Sequence, residues 1–178
     1  MCDGGSFAGK EETPALNATG SDIQGLVALT TGFRADGGVV LAGAKIGRNL
    51  ACDSGKFISV GPLHALNANS AIILGSAFFR NTATLEGGAD FTNTTIGGNL
   101  ECDSSRFVGR NRMPALTANS VRIGGSVHLR NGFNAEGGVD FKIAKIEGHF
   151  ECDSGVFVSK GSIPAQGPYS RTSNTWRG

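Results

Sequence analysis

The sequence is short of proline, with 5 residues, and holds a single Trp and a single Tyr. Scarce proline beside 28 glycines excludes a Pro-rich linker and assigns the glycines to tight turns. Long apolar runs are missing as well. None approaches the ~18 residues that a spanning helix needs, so no transmembrane segment is expected. Neither sign of charge is in excess. A net charge of +1 argues against broad nucleic-acid binding, and equally against an acidic mimic of DNA. The opening Met-Cys-Asp-Gly-Gly lacks the basic flank and apolar core of a signal peptide, so a cytoplasmic location is expected. No stretch sustains the helical apolar period, which argues against helices.

What the chain does have is a period. Cys2-Asp3, Cys52-Asp53, Cys102-Asp103 and Cys152-Asp153 recur every 50 residues, and Phe7, Phe57, Phe107 and Phe157 keep the same step. Residues 52–101 and 102–151 match at 22 of 50 positions without a gap. Such a period marks a repeat architecture. Each copy carries a fainter internal echo. Ile123-Gly124-Gly125-Ser126-Val127-His128-Leu129 and Ile146-Glu147-Gly148-His149-Phe150-Glu151-Cys152 share the frame I-x-G-x-apolar-x-apolar. The 50-residue unit therefore splits into two coils, of 23 and 27 residues, with boundaries at 16, 39, 66, 89, 116 and 139.

Within each coil the short runs alternate with period two, as in Val127-His128-Leu129, Val139-Asp140-Phe141 and Leu100-Glu101-Cys102, which predicts strands with one buried face. Tight turns separate them, at Gly37-Gly38, Gly87-Gly88 and Gly137-Gly138. Strands this short do not make a sandwich, but coiled into a solenoid each one stacks on its equivalent in the next coil. The fold predicted is an all-β parallel β-helix of about six and a half coils over residues 1–165. Residues 166–178 leave the repeat and hold the only Tyr and Trp. They are expected to be a disordered tail, or a cap with Trp176 over the open core.

At this point a resemblance enters. Gly43-Ala44-Lys45-Ile46-Gly47-Arg48-Asn49-Leu50-Ala51-Cys52, with the segment 125–133, resembles bacterial repeat proteins whose copies read roughly G-A-x-I-G-G-N-L-x-C-x-G-x-F. These are pentapeptide-repeat-like β-helix proteins, some of them labelled membrane-associated oxidoreductases. The resemblance covers residues 1–165; it implies the architecture and carries no catalytic residue to this chain. No cofactor is expected: there is no G-x-G-x-x-G between strand and helix, no C-x-x-C and no haem motif.

Four groups of residues are candidates for chemistry. The cysteines align with Leu129 and Phe79 at inward positions. Two coils apart they are separated by about 9.6 Å, too far for a disulfide or a shared metal, so buried reduced thiols are expected. A second group is a surface column reading Asp53, Arg80, Asp103, Arg130, Asp153, with Asp3 and Thr30 before it. It reads as an ion ladder, or as the acid–base row of a glycan-active β-helix enzyme. Arginines between the acids would keep those acids ionised, which is wrong for a general acid. His64, His128 and His149 do not recur as a set and form no nucleophile–base pair. Last, the long coils carry extra residues after the phenylalanine, which should stack as a ridge bearing Lys10, Arg110, Arg112 and Lys160.

The inward rings Phe7, Phe33, Phe57, Phe107, Phe133 and Phe157 are expected in one column, with a gap at Ala83 that Leu85 fills. Three functional readings follow: a non-enzymatic scaffold for an unknown protein partner, a glycan-active enzyme using the Asp/Arg row, and self-association through coil ends.

Overall fold

The computed structural model of the chain describes residues 4–10, 12–159 and 175–177. Its coil is set by six isoleucines. Ile23, Ile46, Ile73, Ile96, Ile123 and Ile146 pair in parallel register, each in a two-residue strand whose other residue points outward. A β-branched side chain suits this narrow ladder because it packs against its neighbours without needing a long strand.

Four such ladders make a four-sided solenoid without helices among the described residues. In chain order, face 1 runs from Leu16–Asn17 to Val139–Asp140 and face 2 from Asp22–Ile23 to Lys145–Ile146, each with six strands. Face 3 runs from Val27–Ala28 to Phe150–Glu151, also with six. Face 4 runs from Ser6–Ala8 to Val156–Val158 and is completed by Thr175–Arg177, eight strands in all. Every pairing is parallel except the last, where Thr175–Arg177 lies antiparallel to Val156–Val158. The rest of the tail, and with it the Trp176 ring, lies outside the described features.

The coil boundaries expected from the echo are the observed ones. Leu16, Val39, Leu66, Ala89, Leu116 and Val139 pair consecutively on face 1. The length difference between coils is distributed in a way the echo did not show. Between faces 3 and 4 the short coil has residues 29–33 and the long coil only 52–55. Between faces 4 and 1 the short coil has 37–38 and the long coil 59–65.

That offset changes the phenylalanine column. On face 4, Phe7, Phe57, Phe107 and Phe157 alternate in register with Ala35, Leu85 and Ala135, not with Phe33 and Phe133. Phe33 and Phe133 stand two residues earlier, in the link from face 3. Their rings still meet the others, Phe33 at 5.7 Å from Phe7 and 5.3 Å from Phe57. The expected gap at Ala83 is closed by two residues. Leu85 is fully buried, as expected; Phe79, where the other short coils have Leu29 and Leu129, brings its ring to 5.7 Å from Phe107.

The corners explain the glycines and small polar residues. In the turn from face 1 to face 2, Gly20, Gly43, Ser70, Asn93, Ser120 and Ile143 all take the left-handed conformation, φ between 56° and 66°. Five of the six suit that conformation better than a β-branched residue does; Ile143 is the exception. Between faces 2 and 3 a side-chain ladder climbs the solenoid. Asn49 accepts from the Ser76 N–H, Ser76 from Asn99, Asn99 from Ser126 and Ser126 from His149, at 2.9–3.0 Å. Where the long coil's loop crosses the next short coil, Gly87 takes φ +120°, and a Cβ there would lie 2.7 Å from the Ser59 carbonyl.

Two outcomes follow. Because Phe79 and Leu85 already occupy the space beside Ala83, Ala83→Phe should overpack the core and destabilise by about 1–3 kcal/mol in chemical denaturation. A rise in stability would show a real void there. Gly87→Ala should cost on the order of 1–3 kcal/mol, from the backbone conformation and the blocked loop crossing.

Candidate functional site

The acids and arginines of the surface column meet at the turn from face 3 to face 4. Period two places Glu101 and Asp103 on the outward side, with Cys102 between them buried inward. Glu151 and Asp153 flank Cys152 in the same way, although Cys152 in the last coil is only partly buried. Since Phe78 pairs with Glu101 and His128 with Glu151, an arginine two residues past Phe78 or His128 has acids in the coils on both sides.

Each arginine uses both. Arg80 donates to Asp53 of the preceding coil through Nη2 at 2.9 Å and Nε at 3.2 Å, and its backbone N–H donates to the same carboxylate at 2.8 Å. Its Nη1 donates to Glu101 of the following coil at 3.1 Å, and its guanidinium lies 4.1 Å above the Phe78 ring. Arg130 repeats the arrangement with Asp103, at 2.8 Å, and Glu151. His128 lies where Phe78 does, its Nε2 3.7 Å from Glu151.

This differs from a simple alternation of Asp and Arg. Arg80 does not bridge Asp53 and Asp103; its upper partner is Glu101, because Asp103 is committed to Arg130. Asp153 is exposed at the last turn, and among the described residues neither arginine pairs with its carboxylate. Glu101 and Glu151 lie outside the expected Asp/Arg column, although the period-two runs Leu100-Glu101-Cys102 and Phe150-Glu151-Cys152 point both outward. Asp3 lies outside the described residues, and Thr30 holds the arginine position in the first copy.

The electrostatics favour ionised acids. Burial pushes the Asp103 carboxyl up, but the side-chain and backbone hydrogen bonds and the charge of Arg130 outweigh it and hold the group below its ordinary value. A general acid in glycoside cleavage needs the opposite shift.

Cys52 and Cys102 are free and fully buried on the inward column that they share with Leu29, Phe79 and Leu129. Burial first, and then neighbouring carboxylates, push both thiols well above their ordinary value. Cys152, in the last coil, is partly exposed, and burial raises it to about 11.

The long-coil loops stack as a ridge between faces 4 and 1. Asn111 ties one loop to the loop two coils away, its Nδ2 donating to the carbonyl of Gly61 at 2.9 Å. Arg110 is not a free cation of this ridge, because it forms an ion pair with Glu86. Arg112 is exposed, and Val60 on the neighbouring loop is 76% exposed. Lys160 lies outside the described residues. Compared with protein-family models, with curated proteins and with solved structures, the chain has no match.

The depressed Asp103 carboxyl makes its contribution to stability complete at neutral pH, above its unfolded value of about 3.9, and lost as pH falls through the lower folded value. Arg130→Leu should therefore lower stability by about 1 kcal/mol at pH 7 and flatten this acid limb below about pH 4, in urea titrations across pH. An unchanged acid limb would remove Arg130 as the cause. Thiol labelling of the native protein, read by peptide mass, should modify Cys152 before Cys52 and Cys102; equal rates would contradict the buried column.

Proposed function

We propose that the solenoid is a non-enzymatic scaffold that binds a protein partner along the long-coil ridge. The observation carrying this reading is the bond from Asn111 to Gly61, which ties the loop at 109–115 to the loop at 59–65, with Val60 and Arg112 exposed beside it. Loops on a rigid support are common binding elements, and an exposed Val beside an Arg gives an apolar anchor with a charged neighbour. The Asp–Arg–Glu groups fit a structural role within this reading, since each guanidinium saturates two carboxylates.

Self-association is a second reading, favoured by the partly buried inward residues Phe7, Leu16 and Val27 in the first coils and Ile146 and Phe150 in the last. Light scattering separates the two: a mass that grows with concentration supports assembly, and a constant monomer mass removes it. For the ridge, a photo-crosslinking amino acid at position 60 should capture a protein from the source cell. Arg112→Glu should abolish that adduct, and the same crosslinker at Asn67 on face 1 should not give it. An adduct indifferent to both changes would refute the ridge.

A further inference from the structure

Of the five large apolar residues that stand exposed among the described residues, only Val60 belongs to the ridge. The other four, Leu26, Ile72, Leu74 and Ile143, lie on face 2 or its two corners. Three of them depart from the local rule of the repeat. Leu74, 56% exposed, stands between Gly47 and Gly97, whose own Cβ atoms would strike the preceding carbonyl at 2.2 Å. Ile143, 88% exposed, is the β-branched residue in the left-handed turn column. Leu26 heads the column whose other members are the polar Asn49, Ser76, Asn99, Ser126 and His149. No packing of these side chains within the described core compensates for the departures, and such uncompensated positions mark function more often than architecture.

Charge is segregated onto the same face. Between Gln24 and Ile146, face 2 and its corners carry Lys45, Arg48, Arg122, Lys142 and Lys145 and no acid at all. Asp22 and Glu147 stand only at the two ends. Lys45, Lys142 and Lys145 have ion pairs, the Lys45–Asp22 one stretched to 4.0 Å. Arg48 and Arg122 are exposed and form no ion pair among the described residues. A protein of net charge +1 thus presents one side where two exposed arginines without ion pairs among the described residues stand amid exposed apolar groups.

We propose that face 2 and its corners form a docking surface for an extended, acidic protein segment that carries apolar side chains. The spacing supports a segment lying along the solenoid axis. From Leu26 in the first full coil to Lys145 in the sixth is five steps of about 4.8 Å, the reach of seven or eight extended residues. Along that line the segment meets Leu26, then Lys45 and Arg48, then Ile72 and Leu74, then Arg122, and last Lys145 beside Ile143. A second copy is a poor occupant. Face 2 against face 2 opposes like charges, and the acids of the face 3–4 corner are already bonded to Arg80 and Arg130. The inference shares the scaffold reading but uses a different surface from the ridge.

The test uses the full chain and a fluorescent twelve-residue peptide of alternating Glu and Leu, followed by anisotropy. Binding should weaken about tenfold in Leu74→Gly, which restores the neighbouring glycine, and at least as much in Lys45→Glu with Arg122→Glu. Arg112→Glu on the ridge should leave it unchanged, so that failure of the ridge and failure of this face are told apart. Ile143→Asn should raise Tm by about 2–4 °C and weaken the peptide, the opposite signs marking a residue kept at the expense of the fold. Equal binding by wild type and the face 2 variants would overturn the proposal. So would sedimentation with vesicles of phosphatidylserine and phosphatidylcholine together with no peptide binding, which would assign the face to lipid.

Discussion

Everything in this solenoid depends on the parallel hydrogen-bond ladder between coils. A spacing of about 4.8 Å leaves no freedom in the vertical direction, so each residue must suit the residue of the same column above and below. The requirement acts on backbone and side chain together. Inward columns must stack apolar groups, corners must repeat one turn conformation, and outward columns must avoid like charges in contact. The constancy of the isoleucine column and the recurrent left-handed corner are two expressions of that single constraint.

The core shows how volume is conserved inside it. Three substitutions relate the middle short coil to its neighbours: Phe33 and Phe133 give way to Ala83, Ala35 and Ala135 to Leu85, and Leu29 and Leu129 to Phe79. One position loses a ring while two others gain bulk. All three residues of the middle coil are fully buried, which is what close packing demands of a column that cannot shift vertically.

The ladder also sets the electrostatics. An outward arginine has neighbours one step above and one below, and the cheapest arrangement places a carboxylate in each. Arg80 and Arg130 take an aspartate from the long coil below and a glutamate from the long coil above, because Asp follows the inward cysteine of one coil and Glu precedes that of the other. The buried thiol and the ion pairs are thus consequences of the same alternation. Face 2 departs from this economy: Arg48 and Arg122 have no ion pair among the described residues, and Leu26, Leu74 and Ile143 stand where neighbouring coils have glycine or small polar residues.

The 50-residue period, its division into coils, the inward cysteines and the column of Asp53, Arg80, Asp103 and Arg130 were legible in the sequence, because a strict period converts sequence distance into position on a coil. Leu85 as a filler of the Ala83 gap was legible for the same reason. What the period could not convey was where within a coil its extra residues fall. Only the folded chain decided that Phe33 stands two residues ahead of the face 4 register, that Phe79 swings into the gap, and that Arg80 reaches Glu101 in place of Asp103. It also decided that Arg110 is spent on Glu86 while Arg112 is exposed. These are choices of side-chain direction and reach, which follow from three-dimensional neighbours across coils and not from position in a repeat.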